Sequence, residues 1–198
     1  MASKRICVFC GSSSGSDPFY AEVAACLAKY MAANKIAIVY GGGNSGLMGV
    51  LANTALDAGA DITGVIPRGL VAKEAAHTRV ADLRIVESMH ERKALMARLA
   101  DAFIALPGGY GTFEEFCEVL TWTQLGIQSK PCGLLNVKGY YDALLRLFDH
   151  AVAEQFLKPA HRSLVISDTD PETLVARLLS YQMPLIDKWP ERESLERT

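Results

Sequence analysis

Short apolar runs alternate along this chain with longer stretches in which apolar positions recur every three or four residues. The runs read as buried strands, and the longer stretches as helices with one apolar face. Strands are expected at 6–9, 36–40, 62–66, 83–86, 102–106, 133–137 and 164–166. Helices are expected at 17–33, 47–58, 88–100, 112–125, 140 to about 155, and 171–180. Local chemistry marks several ends. Asp17 stands as N-cap ahead of Pro18 at the first helical position. Gly59 closes the second helix, and Pro67 ends the third strand.

The strand runs are apolar without alternation, so both of their faces are expected to be covered, as in a parallel sheet flanked by helices. Strand and helix then alternate throughout. The pattern predicts an α/β fold: a doubly wound, mainly parallel Rossmann-like sheet of about seven strands with helices on both faces. Residues 1–182 read as a single nucleotide-binding domain of this kind, and 183–198 as a charged C-terminal tail. The least regular internal stretch, 73–80, is expected to be a mobile loop.

Composition narrows the class. The 198 residues suit one domain, and the 50% hydrophobic content supplies a sizeable core. A formal charge of −2 gives no basis for a nucleic-acid surface or an acidic-lipid binder. No run approaches the roughly 18 apolar residues of a membrane span. The opening apolar run is too short for a signal-peptide core. Five scattered cysteines fit a reducing compartment, so a cytoplasmic location is expected. Cys7 and Cys10 form a Cys-x-x-Cys, but on a strand this spacing sends the thiols to opposite faces. Apolar filler is the better reading of both.

The chemistry concentrates in glycine loops. Gly11-Ser12-Ser13-Ser14-Gly15, Gly41-Gly42-Gly43-Asn44-Ser45-Gly46 and Gly108-Gly109-Tyr110-Gly111 each follow an expected strand. Such loops fall at the carboxyl ends of a parallel sheet, where doubly wound folds bind ligands. The third loop opens a helix, whose free N–H groups and dipole favour an anion such as phosphate. The second matches the dinucleotide pattern Gly-x-Gly-x-x-Gly. That pattern also wants an acid at the end of the next strand, whereas Asp61 opens it. A smaller phosphorylated ligand is expected rather than NAD.

Two charged residues stand out. Arg92 shares a helical stripe with Met89, Met96 and Leu99, a cation on an otherwise apolar face. It either pairs with a structural acid or points into a pocket at the sheet's end, and spacing does not decide. Glu115 lies one turn into the helix after the third loop. Thr112-x-x-Glu115 is also a capping box, which would explain the glutamate without catalysis. The glycine loop before it tips the reading toward function. His90-Glu91 lacks the second histidine of a zinc helix, Ala94 standing there instead. The four histidines are dispersed, so no metal site is expected.

Pro107-Gly108-Gly109-x-Gly111-Thr112-x-x-Glu115, with Met89-His90-x-Arg92-Lys93 upstream, resembles the Lonely Guy (LOG) family. The Phe9-Cys10-Gly11-Ser12-Ser13 segment and the Tyr40-to-Gly49 loop match as well, and the similarity spans about residues 5–180. Members are cytokinin riboside 5′-monophosphate phosphoribohydrolases, once labelled lysine decarboxylases. The resemblance implies cleavage of the N-glycosidic bond of an adenosine-type 5′-monophosphate to free base and ribose 5-phosphate, with no cofactor. It implies Arg92 and Glu115 as the catalytic pair. Met89 and Lys93 would line the site, and Gly109, Gly111 and Thr112 would hold phosphate. Ser12, Gly42 and Gly43 of the earlier loops are expected to contact substrate too. It also implies a homodimer with the site near the subunit interface. The alternative is a non-catalytic nucleotide or molybdenum-cofactor carrier on the same type of sheet. A carrier has no need of Arg92 and Glu115 together.

Overall fold

A computed structural model describes residues 4–73 and 76–184. The charged tail beyond 184, and residues 74–75 of the irregular stretch, lie outside the described residues. Strands β1 (Arg5–Phe9), β2 (Ala37–Tyr40), β3 (Ile62–Pro67), β4 (Asp82–Val86), β5 (Ala102–Ala105), β6 (Cys132–Leu135) and β7 (Val165–Asp168) form one sheet. Every pairing is parallel, in the order β4-β3-β2-β1-β5-β6-β7. The chain builds outward from β1 to β4, then crosses back to place β5 on the other side of β1. The switch point therefore lies between β1 and β5, where the loops leaving the two strands part and open a crevice.

Helices α1 (Phe19–Ala33), α2 (Gly46–Asp57) and α7 (Pro171–Ser180) cover one face. Helices α3 (Met89–Leu99), α4 (Tyr110–Gln124) and α5 (Asp142–Ala153) cover the other, and a short α6 (Pro159–Arg162) follows. The period of two along β1 feeds both cores. Ile6 and Val8 meet Leu27, Met31 and Leu51 on the first face. Cys7 and Phe9 meet Met96 and Phe116 on the second. Side chains of this size contribute roughly 1.5–3 kcal/mol each when fully buried. Cys7 and Cys10 are free, buried, and in opposite cores, as their spacing requires.

Several ends differ from expectation. Helix α1 proper begins at Phe19, later than expected, although Asp17 Oδ1 accepts from Phe19 N–H at 2.9 Å and Pro18 is already helical, as the Asp-Pro start predicts. β4 is a half-exposed edge in which Arg84 pairs with Asp82, not a run buried on both faces. The helix expected from residue 140 begins at Asp142, after a separate turn in which Lys138 takes φ 51°. In the irregular stretch, Ala76 bridges to Gly43 and His77 N–H donates to Gly42 O at 3.0 Å, so its described part is tied to the β2 loop. Among the described residues, no helix is long and apolar enough to cross a membrane.

Candidate active site

Two loops meet at the switch point. Gly11 N–H, just past β1, donates to Pro107 O, just past β5, at 3.1 Å. A Cβ at Gly108 would stand 2.1 Å from Thr112 Oγ1 and 2.9 Å from Gly11 N, so only glycine lets the chains approach this closely. Two tyrosines at the start of α5 hold the same loop. Tyr140 OH donates to Gly108 O, and Tyr141 OH donates to Leu106 O at 2.6 Å. Burial pushes the Tyr141 phenol well above its ordinary pKa, so it stays a donor.

Helix α4 starts at Tyr110, with Gly109 in the N-cap position and no side-chain cap. The capping-box expectation for Thr112 and Glu115 is therefore wrong. The glycines let the helix begin two residues earlier, which places Thr112 inside the first turn. A variant of that box forms at α3, where Ser88 Oγ accepts from Glu91 N–H at 3.1 Å and Glu91 Oε2 accepts from the N–H of Glu87, one residue before the cap. In α4 the first closing bond runs from Phe113 N–H to Gly109 O at 3.1 Å. The N–H groups of Tyr110, Gly111 and Thr112 precede it and lack an intrahelical acceptor.

A cavity of about 290 Å³ opens here, lined by Cys10, Ser12, Met48, Met89, Arg92 and the α4 start from Gly109 to Glu115. Arg92 comes from α3 and Glu115 from α4. Their side chains are only 7% and 10% exposed, and Arg92 Nη2 lies 3.6 Å from Glu115 Oε1. That separation is longer than a hydrogen bond, so the charges stand side by side instead of locking in a bidentate fork. Arg92 Nη1 lies 3.5 Å from Met89 Sδ. Cys10 is held as a neutral thiol: burial raises its pKa, Glu115 adds to this, and Arg92 opposes it. A second, more apolar cavity of about 250 Å³ shares Gly11, Ser12 and Gly109 and adds Tyr20, Leu47 and Tyr140.

The structure thus brings Met89, Arg92, Ser12, Gly109, Gly111, Thr112 and Glu115 together. It places three expected residues elsewhere. Lys93 lies outside the cavity lining, its ammonium bonded to Glu114 and to Glu118 Oε1. Burial alone would lower its pKa, but those two carboxylates outweigh it and raise it. Gly42 packs at φ +77° against Ile66 and Leu83, and Gly43 bridges to Ala76. The second glycine loop does not offer its helix to a ligand either. Leu47 N–H and Met48 N–H at the start of α2 donate to Gly11 O at 3.0 and 3.3 Å. Conversely, Tyr20 and Tyr140 line the cavities without any local motif to announce them, and Cys10 and Met48 do so from the matching segments in which neither was singled out. Among the described residues, no three His, Cys, Asp or Glu side chains gather as a metal site.

Sheet order, switch-point cavities and an open helix terminus are those of a Rossmann-like α/β protein. Solved structures agree on the fold. The molybdenum cofactor carrier protein of Chlamydomonas reinhardtii matches with a TM-score of 0.67 at 18% identity, covering 91% of this chain and 100% of that one. The molybdenum cofactor binding protein of Rippkaea orientalis gives 0.67 at 20% identity, covering 91% and 98%. Sequence comparison goes further. Residues 48–178 match the family model described as "Possible lysine decarboxylase". A probable cytokinin riboside 5′-monophosphate phosphoribohydrolase of Oryza sativa subsp. japonica is 53% identical over 178 residues, covering 90% of this chain and 78% of that protein. A cytokinin riboside 5′-monophosphate phosphoribohydrolase of Arabidopsis thaliana is 50% identical over 179 residues, covering 90% and 82%. The chain belongs to this family, the LOG family.

The decarboxylase wording would require pyridoxal phosphate on a Schiff-base lysine. Among the described residues no lysine lines either cavity, so these residues do not fit it. Lys93 is held by its two glutamates, Lys130 donates to Ala97 O at 2.6 Å, and Lys138 pairs with Asp17.

Proposed function

We propose that this chain hydrolyses the N-glycosidic bond of a cytokinin-riboside or other adenosine-type 5′-monophosphate, releasing the free base and ribose 5-phosphate. The observation that carries the reading is the buried Arg92–Glu115 pair beside the open N-terminus of α4. The phosphate sits on the N–H groups of Gly111 and Thr112, where the helix dipole favours it. The ribose then lies between α3 and α4. As the C1′–N bond lengthens, positive charge builds on the ribose, as in other glycoside hydrolyses. The Glu115 carboxylate stabilises that charge and orients water for attack on C1′. Water supplies the hydroxyl of C1′, and its proton ends on the departing base. Arg92 fixes the carboxylate's orientation and supplies donors to the substrate. Phosphate binding, remote from the bond that breaks, contributes energy that aligns it.

The test compares AMP, its N6-isopentenyl derivative and the matching nucleosides, with released base measured by chromatography. Base should appear from the 5′-monophosphates, with kcat/KM about a hundredfold or more lower for the nucleosides. Equal rates with and without phosphate would remove the anion site from the mechanism. Binding of the nucleotide without any base release would mark a carrier instead.

We also propose a homodimer in a reducing cytoplasm. Support for the dimer comes from the α4–α5 face. Helix α5 buries no residue fully, and Leu147 and Phe156 are 59% and 88% exposed. Ile127, just beyond α4, is 67% exposed, and Tyr110 stands fully out at the cavity mouth. A second copy would cover this apolar surface. Sedimentation should give twice the chain mass at micromolar concentration; a fully active monomer would refute the dimer. The free cysteines support the compartment.

A further inference from the structure

We infer that Gly41 is a positioning residue for Arg92. The inference rests on the proposed function for its kinetic arm only. Gly41 follows β2 and matches the first glycine of a dinucleotide fingerprint, where a tight turn or a phosphate would be its reason. The structure gives a different one. A Cβ at Gly41 would stand 2.0 Å from Arg92 Nη2, 3.2 Å from Arg92 Cζ and 3.1 Å from Met48 Sδ. The guanidinium thus lies directly on the bare Cα of residue 41.

Packing, more than hydrogen bonding, holds the arginine there. Its Nε is buried without a hydrogen-bond partner. Its polar neighbours are the weak acceptor Met89 Sδ at 3.5 Å and Glu115 at 3.6 Å. A side chain fixed by contact moves when the contact surface moves. An added methyl at residue 41 cannot share space with Nη2, so it must displace the guanidinium from Glu115. The backbone does not itself demand glycine at this position. Gly42 and Gly46 have φ of +77° and +55°, but Gly41 is not among the positive-φ residues. Alanine at 41 therefore adds bulk without backbone strain, and its effect reports on the arginine.

The experiment uses the full chain and the variants Gly41→Ala, Arg92→Lys, their double variant, and Gly69→Ala as a control. A Cβ at Gly69 meets nothing within 4 Å. Displacing a catalytic group by an ångström costs about tenfold to a hundredfold in rate. Gly41→Ala should lose that much kcat while KM stays within about threefold. Lysine lacks the Nη2 that the methyl meets, so on the Arg92→Lys background the same alanine should change kcat less than about twofold. Unaltered kcat in Gly41→Ala, or the same fold loss on both backgrounds, would overturn the inference. A second readout needs no turnover. The ¹⁵N-edited spectrum should contain an Arg92 Nε–H signal, identified by its loss in Arg92→Lys. It should shift in Gly41→Ala and stay in place in Gly69→Ala. A fixed signal in Gly41→Ala overturns the inference even if the wild type is active. A shifted signal sustains it even if the wild type cleaves no nucleotide, an outcome that sinks the proposed function alone. Should Gly41→Ala fail to fold, the double variant must fold, since the overlap with Nη2 is gone and the flexible Met48 side chain can give way; an unfolded double variant also overturns it.

Discussion

After β5 the chain reads Pro107-Gly108-Gly109-Tyr110-Gly111 and enters α4; after β2 it reads Gly41-Gly42-Gly43-Asn44-Ser45-Gly46 and enters α2. Both are glycine-rich turns from a parallel strand into a helix. Both sit at the carboxyl edge of the sheet. In the first, the N–H groups of the opening helical turn precede Phe113 N–H→Gly109 O, and the loop lines a cavity. In the second, Leu47 N–H and Met48 N–H are taken by Gly11 O. Its glycines meet protein instead: Gly41 meets Arg92, Gly42 meets Ile66, and Gly46 meets the backbone of Ser12 and Ser13. A glycine loop is thus ambiguous until the acceptors of the following helix are known. One loop leaves the first N–H groups of its helix beside a cavity, as the proposed phosphate site requires. The other is built so that a buried arginine and a neighbouring loop can come close.

The largest effect expected from the first loop is chemical. Glu115→Gln should lower kcat by about a hundredfold or more, the scale for a lost charge-stabilising or base group. Because α4 begins at Tyr110 with Gly109 in the N-cap position, Thr112 and Glu115 do not form its cap box, and the helix start should survive the change. Turnover and melting temperature measured together decide the point. Near-normal turnover would return Glu115 to a structural role and dissolve the contrast between the loops.

The fold was legible because burial leaves a coarse pattern. Apolar runs such as Phe103-Ile104-Ala105 can only be strands covered on both faces, and their alternation with helices fixes a parallel sheet. The two members of the buried Arg92–Glu115 pair stood out for a related reason: Arg92 interrupts an apolar stripe, and Glu115 follows a glycine turn. What sequence spacing could not reveal was nonlocal. Gly11 O reaching α2, and Tyr140 OH reaching Gly108 O across 32 positions, depend on strand order. Thr112-x-x-Glu115 offered a capping box as the structural alternative because Thr-x-x-Glu is local chemistry, and Gly109 takes the N-cap position instead. The glycines ahead of Thr112 permit an earlier helix start that the pattern does not encode. Lys93 was expected in the site beside Arg92, yet neighbours on a helix point about 100° apart. The two glutamates of α4 settle which way Lys93 turns.

A middle-sized effect tests the second loop. Gly46 has φ +55°, and a Cβ there would lie 2.3 Å from Ser12 C. Gly46→Ala combines left-handed strain with a backbone clash, which should destabilise by about 1–3 kcal/mol. For a domain of this size that lowers the melting temperature by about 3–10 °C. Any loss of activity should follow loss of folded protein, with KM of the remaining fraction unchanged. A stable Gly46→Ala with a raised KM would mean that this loop touches substrate after all.

The smallest effect is the sharpest discriminator, because its two readouts move in opposite directions. Gly111 lies in the first turn of α4 and lines the cavity, and a Cβ there meets nothing within 4 Å. The protein has room for the methyl group, and a helical alanine is favoured over glycine by up to about 1 kcal/mol. Gly111→Ala should therefore melt at the wild-type temperature or up to about 3 °C higher. Gly111 lines the cavity, so under the proposed function the methyl group takes up space that the phosphate needs. KM for a 5′-monophosphate should rise about tenfold, equivalent to roughly 1.4 kcal/mol of lost binding, while the already poor turnover of the nucleoside stays the same. If KM does not change, the phosphate lies elsewhere and α4 is an ordinary helix start. If stability falls instead, Gly111 belongs with Gly46, and the two loops do the same work.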